Sequence, residues 1–184
     1  GVCLDNAHNV FISDYADHRI RKIDTHDTLT TFADTSGMPG YTGDGGLKDS
    51  ATFRNPSGLC FDASGNLYIL EWYNDVVRRI DKTTGIVSTV AGSGAGGYGG
   101  DNGPATMANM ERPSGICMDP AGNIFIADYG NHRIRRVDAI TNIITTFAGD
   151  GTAGSSGDDG LAIAAKLNYP NSVCSDSAGN IFIS

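Results

Sequence analysis

Membrane-length apolar runs, glutamate and histidine are what this chain is short of. No apolar stretch approaches the roughly 18 residues that cross a bilayer as a helix, so the sequence reads as a soluble folded domain with no membrane insertion. Glutamate occurs only at Glu71 and Glu111, against nineteen aspartates, which moves the acidic excess from helix surfaces to turns and caps. The four histidines are too few to converge as a metal or acid–base cluster. There is no Ser/His/Asp order, no phosphate-binding glycine loop, no pair of glutamates and no Asn-x-Ser/Thr acceptor for N-glycosylation.

Glycine is abundant. Its 25 positions are about twice the ordinary ~7% share, and only 18% of residues are charged, a composition that favours a turn-rich, all-β chain. At 184 residues the chain is one domain's worth and buries about 70% of its unfolded surface if compact. A formal charge of −8 makes a poor binder of polyanions, which argues against nucleic acid.

The chain repeats itself every 57 residues. Pro56-Ser-Gly-Leu-Cys60 returns as Pro113-Ser-Gly-Ile-Cys117 and Pro170-Asn-Ser-Val-Cys174, and Asn9-Val-Phe-Ile as Asn66-Leu-Tyr-Ile, Asn123-Ile-Phe-Ile and Asn180-Ile-Phe-Ile. This sets three repeats at 1–57, 58–114 and 115–171, with 172–184 beginning a fourth. Each repeat carries four short strand patterns, in the second at 58–62, 67–70, 76–80 and 86–91, the second of them continuously apolar and so buried on both faces. Such units must stack face to face. Radial stacking gives a β-propeller, and solenoid stacking is disfavoured because the links are short hairpins. Between repeats runs a Gly-Asp loop, then a segment such as 104–110 whose apolar spacing predicts one or two helical turns capped by Asp101 or Asn102. His8, at the place of a turn glycine, is expected in the left-handed region.

Residues 122–138, Gly-Asn-Ile-Phe-Ile-Ala-Asp-Tyr-Gly-Asn-His-Arg-Ile-Arg-Arg-Val-Asp, resemble the NHL repeat, with Asn131-His132-Arg133 in place of its name-giving triplet. The long Gly-Asp-Gly-Gly variety of that repeat is common in large secreted or surface proteins. The resemblance covers essentially the whole chain and implies an all-β propeller with one blade per repeat. The second repeat departs from it, with Glu71-Trp-Tyr-Asn-Asp75 at the Asn-His positions.

The residues that define the repeat are Gly58, Asp62, Asn66, Arg78 and Asp81, and again Gly115, Asp119, Asn123, Arg135 and Asp138. Cys3, Cys60, Cys117 and Cys174 share one phase of the repeat, so they point the same way round a ring. Two disulfides or a metal site are the alternatives; buried free thiols are the expected state, because bridging needs Cα atoms within roughly 7 Å. Asp44, Asp101 and Asp158 are candidates for calcium through their Gly-Asp loops, but lack a spaced ligand ladder and read first as turn formers and helix caps. Asp5, Asp62, Asp119 and Asp176 read as turn caps. The basic runs Arg19–Lys22, Arg78-Arg79 and Arg133–Arg136 are flanked by acids, which suits inter-blade ion pairs better than an RNA-binding face.

The functional expectation is a non-enzymatic propeller scaffold of a large extracellular or surface protein, acting through protein–protein contact or self-assembly, with other copies or further repeats of the same chain as partners and a fibre as one form. The alternative is a propeller-based lyase or hydrolase whose catalytic residues lie largely outside this segment. With no initiator methionine and matching first and last segments, the sequence reads as a piece of a longer repeat protein.

Overall fold

The computed structural model describes all 184 residues. The first sheet joins β1 (Val2–Leu4), β2 (Val10–Asp14), β3 (Arg19–Ile23) and β4 (Leu29–Ala33) in sequence order. The second repeats it with β5 (Pro56–Phe61), β6 (Leu67–Glu71), β7 (Val76–Ile80) and β8 (Val87–Ala91). The two-residue β9 (Gly103–Pro104) then adds to the outer edge of the third, formed by β10 (Ile116–Met118), β11 (Ile124–Asp128), β12 (Arg133–Val137) and β13 (Ile143–Ala148). Finally β14 (Val173–Ser175) and β15 (Ile181–Ile183) pair as a two-stranded sheet. All neighbouring strands within the blades are antiparallel. Strands fall within two residues of the expected positions.

The blades pack face to face, because their middle strands are apolar on both sides. Phe11, Ile20 and Ala33 of the first blade meet Leu59, Leu67, Ile69, Ile80 and Val87 of the second. The opposite face of the second offers Leu70, Val77 and Ala91 to Ile116, Ile124, Ile126, Val137 and Ile144 of the third. Cys117, Phe125, Ala127 and Ile134 then carry the pattern to Val173. Each fully buried Leu, Ile or Val contributes about 1.5–3 kcal/mol, so these seams are the main stabilising layers.

One turn recurs four times. Asp62 accepts the Asn66 backbone N–H at 2.8 Å and its side-chain amide at 2.7 Å; Asp5 with Asn9, Asp119 with Asn123, and Asp176 with Asn180 do the same. In the first, His8 takes the glycine's place at φ 64°, as expected.

The segment after each Gly-Asp loop differs from expectation. It forms a single 3₁₀ turn at Ala105–Met107 and at Ala162–Ala164, preceded by Pro104 and Leu161, with no side-chain cap. Neither Asp101 nor Asn102 caps a helix. The loop pairs its backbone with the outer strand of the next blade instead, Asn102 N–H to the Ile144 carbonyl at 2.8 Å and Ala105 N–H to that of Asn142 at 2.9 Å, and a segment so spent cannot wind into an α-helix.

Candidate functional site

The polar residues concentrate at the joints between blades, and the two complete joints are built alike. In each, the Gly-Asp loop of one repeat crosses an arginine in the third strand of the next blade. Arg78 and Arg135 are wholly buried, and a bulge precedes each in the strand pairing. Arg78 meets Glu71 of its own blade at 3.2 Å and Asp44 of the preceding loop at 2.7 Å. Arg135 meets Asp128 at 3.2 Å and Asp101 at 2.6 Å. Each also donates to a loop carbonyl, Arg78 to Thr42 and Arg135 to Gly99, both at 3.1 Å. Tyr41 and Tyr98 lie over the guanidinium groups and bond the hydroxyls of Thr89 and Thr146. The loop acids finish on backbone: Asp44 accepts the Thr89 N–H at 3.1 Å, and Asp101 that of Thr146 at 3.0 Å.

These contacts give Asp44 and Asp101 a different role from the one expected. They are inter-blade clasps, and their oxygens are spent on arginine and backbone. Asp158, the third of the set, is exposed and has no hydrogen bond or ion pair. No three His, Cys, Asp or Glu side chains gather to metal-ligating distance anywhere in the chain.

Burial raises the Glu71 carboxyl to about 7 against the pull of Arg78, and raises that of Asp128 as well. Burial also opposes ionisation of Asp101, but Thr146, Tyr98 and Arg135 outweigh it and its pKa is lowered.

The remaining repeat-defining residues are structural in the same way. Asp81 and Asp138 each close a turn, on Thr84 and Thr141, and pair with Arg79 at 2.9 Å and Arg136 at 3.1 Å. Gly58 and Gly115 sit where the next blade's inner strand comes closest. A Cβ at Gly115 would lie 2.7 Å from the Ser172 Cα, and one at Gly58 2.9 Å from the Ser114 carbonyl oxygen. His18 and His132 accept backbone N–H groups from Asn55 and Tyr169 at 3.1 and 3.0 Å, and Asp75 does the same for Arg112 at 2.7 Å. All three occupy the left-handed region, where His and Asp are among the enriched residues.

The cysteines are all free, but not all are buried. Cys117 is buried, Cys3 and Cys60 are half-buried, and Cys174 is exposed. Cys174 lies on the two-stranded sheet, on which nothing packs from that side. Burial pushes the Cys3 and Cys117 thiols up to about 12, and that of Cys60 well above its ordinary value.

Two further features were not foreseen. Tyr15, Trp72 and Tyr129 stand at one phase of the repeat, and Trp72 stacks on Tyr129 at 5.1 Å, which stacks on Tyr169 at 4.9 Å. Their spacing of 57 residues was the available signal. Between the first and second blades lies a cavity of about 390 Å³ walled by phenylalanines, which no sequence motif marks.

Successive four-stranded antiparallel blades packed face to face define a β-propeller protein. Residues 110–137 match the NHL repeat. NHL repeat-containing protein 2 of Bos taurus is 30% identical over 55% of this chain and 14% of its own length. Teneurin-4 of Homo sapiens is 33% identical over 46% of this chain and 4% of its own. The chain thus spans a small part of the relatives it matches. Among solved structures, a protein of unknown function from Bacteroides thetaiotaomicron superposes with a TM-score of 0.76 at 21% identity, over 99% of this chain and 43% of that one. Virginiamycin B lyase from Staphylococcus aureus gives 0.62 at 17% identity, over 100% and 47%. Both likenesses concern the fold alone.

Proposed function

We propose that this chain is a non-enzymatic propeller module of a larger extracellular or surface protein, working through protein–protein contact and assembly of blades. The observation that carries the reading is the free face of the first blade. Leu29 is 54% exposed, whereas Val87 and Ile144, at the same phase of the next two blades, are 0% exposed. Val2 is 66% exposed against 7% for both Leu59 and Ile116. The first blade therefore presents the surface that the other two bury against a neighbour, and it offers Arg21, which makes no ion pair, where they offer Arg78 and Arg135. The occupant such a face fits is another blade, from further repeats of the same protein or from another copy. An open stack of copies is a fibre, and a closed one a ring. Short matches within much longer relatives support the reading of a module.

Size-exclusion chromatography with light scattering tests it. The 184-residue chain at micromolar concentration is expected to run as assemblies; a sharp, folded 19.2 kDa species would overturn the reading.

A further inference from the structure

The cavity between the first two blades joins three phenylalanines to lysines; the edge-to-face pair Phe11 and Phe32 recurs in the third blade as Phe125 and Phe147, at 4.9 Å. Its walls are Phe11, Phe32 and Phe61, with Phe11 edge-to-face against each of the others at 4.9 Å, above a floor of Leu67 and Ile80. It opens at the turns that hold Ala7, Gly65 and Lys82. The chain has only four lysines, and three of them, Lys22, Lys48 and Lys82, line this one cavity. Lys48 is engaged, donating to the Phe32 carbonyl and to Asp49, both at 2.7 Å. Lys22 and Lys82 donate no side-chain hydrogen bond and form no ion pair, although the chain carries 21 acids to 13 bases; the Lys22 ammonium lies 5.8 Å from the centre of the Phe11 ring.

The acids that share the cavity already have partners. Asp5 and Asp62 are held by their asparagine turns, and Asp81 by Thr84 and Arg79. They moderate the local charge, but their oxygens face their own turns.

The corresponding place between the second and third blades is different. There Tyr68 replaces Phe11 and bonds Asp62 through its hydroxyl at 3.4 Å, Val90 replaces Phe32, and Met118 replaces Phe61. Ala105 and Ala139 stand for Lys48 and Lys82, and Arg79, which pairs with Asp81 at 2.9 Å, stands for Lys22. The phenylalanine trio and the unpaired cations therefore occur together here, whereas the next joint has one aromatic ring and a cation already paired.

We propose that this cavity binds a flat apolar anion, an aromatic carboxylate or sulfonate, whose rings pack on Phe11, Phe32 and Phe61 and whose charge meets Lys22 and Lys82. A volume of about 390 Å³ lies within the range of small-molecule sites, and an apolar body with a few convergent polar groups is their usual make-up. An ammonium at the mouth of an apolar cavity holds an anion more strongly than one in open water. The site stands independently of the assembly reading.

Isothermal titration with 2-naphthoate, using 2-naphthol as the neutral probe of the same ring system, tests the proposal. The expected result is saturable binding of one naphthoate per chain, at least tenfold tighter than naphthol. The double variant Lys22→Met, Lys82→Met keeps the lysine stems, and is expected to weaken naphthoate tenfold or more while leaving naphthol unchanged. Ala7→Phe, at the exposed mouth, is expected to weaken both probes. Binding of naphthoate to the bare face of the first blade would survive all these substitutions. Equal affinity for the two probes, indifference to the lysine pair, or no saturation at millimolar concentration would each overturn the proposal. Blade formation in the variants is checked by circular dichroism.

Discussion

At the scale of residues, the clasp arginines show how one side chain does several jobs. Arg78 and Arg135 each satisfy a carboxylate of their own blade, a carboxylate of the loop before it and a loop carbonyl, so the charge is buried fully paired. Leaving such a group half-paired costs far more than the intact pair contributes. Asp101→Asn is therefore expected to destabilise the protein by about 1–3 kcal/mol, whereas Asp158→Asn, at a carboxylate without partners, leaves the melting temperature unchanged. Thermal unfolding of the two variants side by side checks this. The thiols give a second prediction. Since all four are free, iodoacetamide in denaturant without reductant labels four cysteines; in the native protein the exposed Cys174 reacts first, and Cys3, Cys60 and Cys117 react more slowly because burial suppresses their thiolates. Peptide mass spectrometry reads both, and an unlabelled Cys60–Cys117 pair in denaturant would contradict it.

At the scale of elements, the inner strands approach so closely that only glycine fits. An alanine Cβ at Gly115 would meet backbone of Asn171 and Ser172 at 2.8 and 2.7 Å, and backbone cannot rotate away as a side-chain tip does. Gly115→Ala is expected to cost about 1–3 kcal/mol of overpacking strain. Gly99→Ala is its control, since nothing lies nearer than 4.0 Å to the Cβ there and its φ is not in the left-handed region. Chemical denaturation of both variants separates packing from the general effect of adding a methyl group.

At the scale of the molecule, pH acts on two groups of acids in opposite directions. Asp81 and Asp138 accept turn N–H groups, which lowers their pKa, so their contribution is present above their ordinary value of 3.8 and lost as pH falls further. Burial raises Glu71 to about 7, so its contribution is complete below 4.5 and lost as pH rises through 7. Glu71→Gln removes that dependence. The melting temperature of the wild type minus that of the variant is thus expected to fall between pH 5 and pH 8. A constant difference would show that Glu71 is ionised throughout.

Periodicity alone determined the blades. A period of 57 residues, two-sided apolar strands and turn glycines leave few ways to bury the strands, and local hydrogen bonds such as Asp62 to Asn66 are written in residues four apart. Ion pairing of the arginines was also legible, but the flanking acids pair within a blade, Glu71 with Arg78 and Asp81 with Arg79, and the pairs between repeats run to the Gly-Asp loops. The loop partner of each was not legible, because Asp101 meets Arg135 across 34 residues, a distance that only the docking of one blade on the next closes. For the same reason the expected helix became a backbone edge: its apolar spacing was real, but the outer strand of the next blade competed for its hydrogen bonds and won. The thiols shared one phase and differ in burial, since burial depends on what packs across the seam. The phenylalanine cavity and its two free lysines belong wholly to tertiary structure, for they come from five separate strands and turns that sequence order keeps apart.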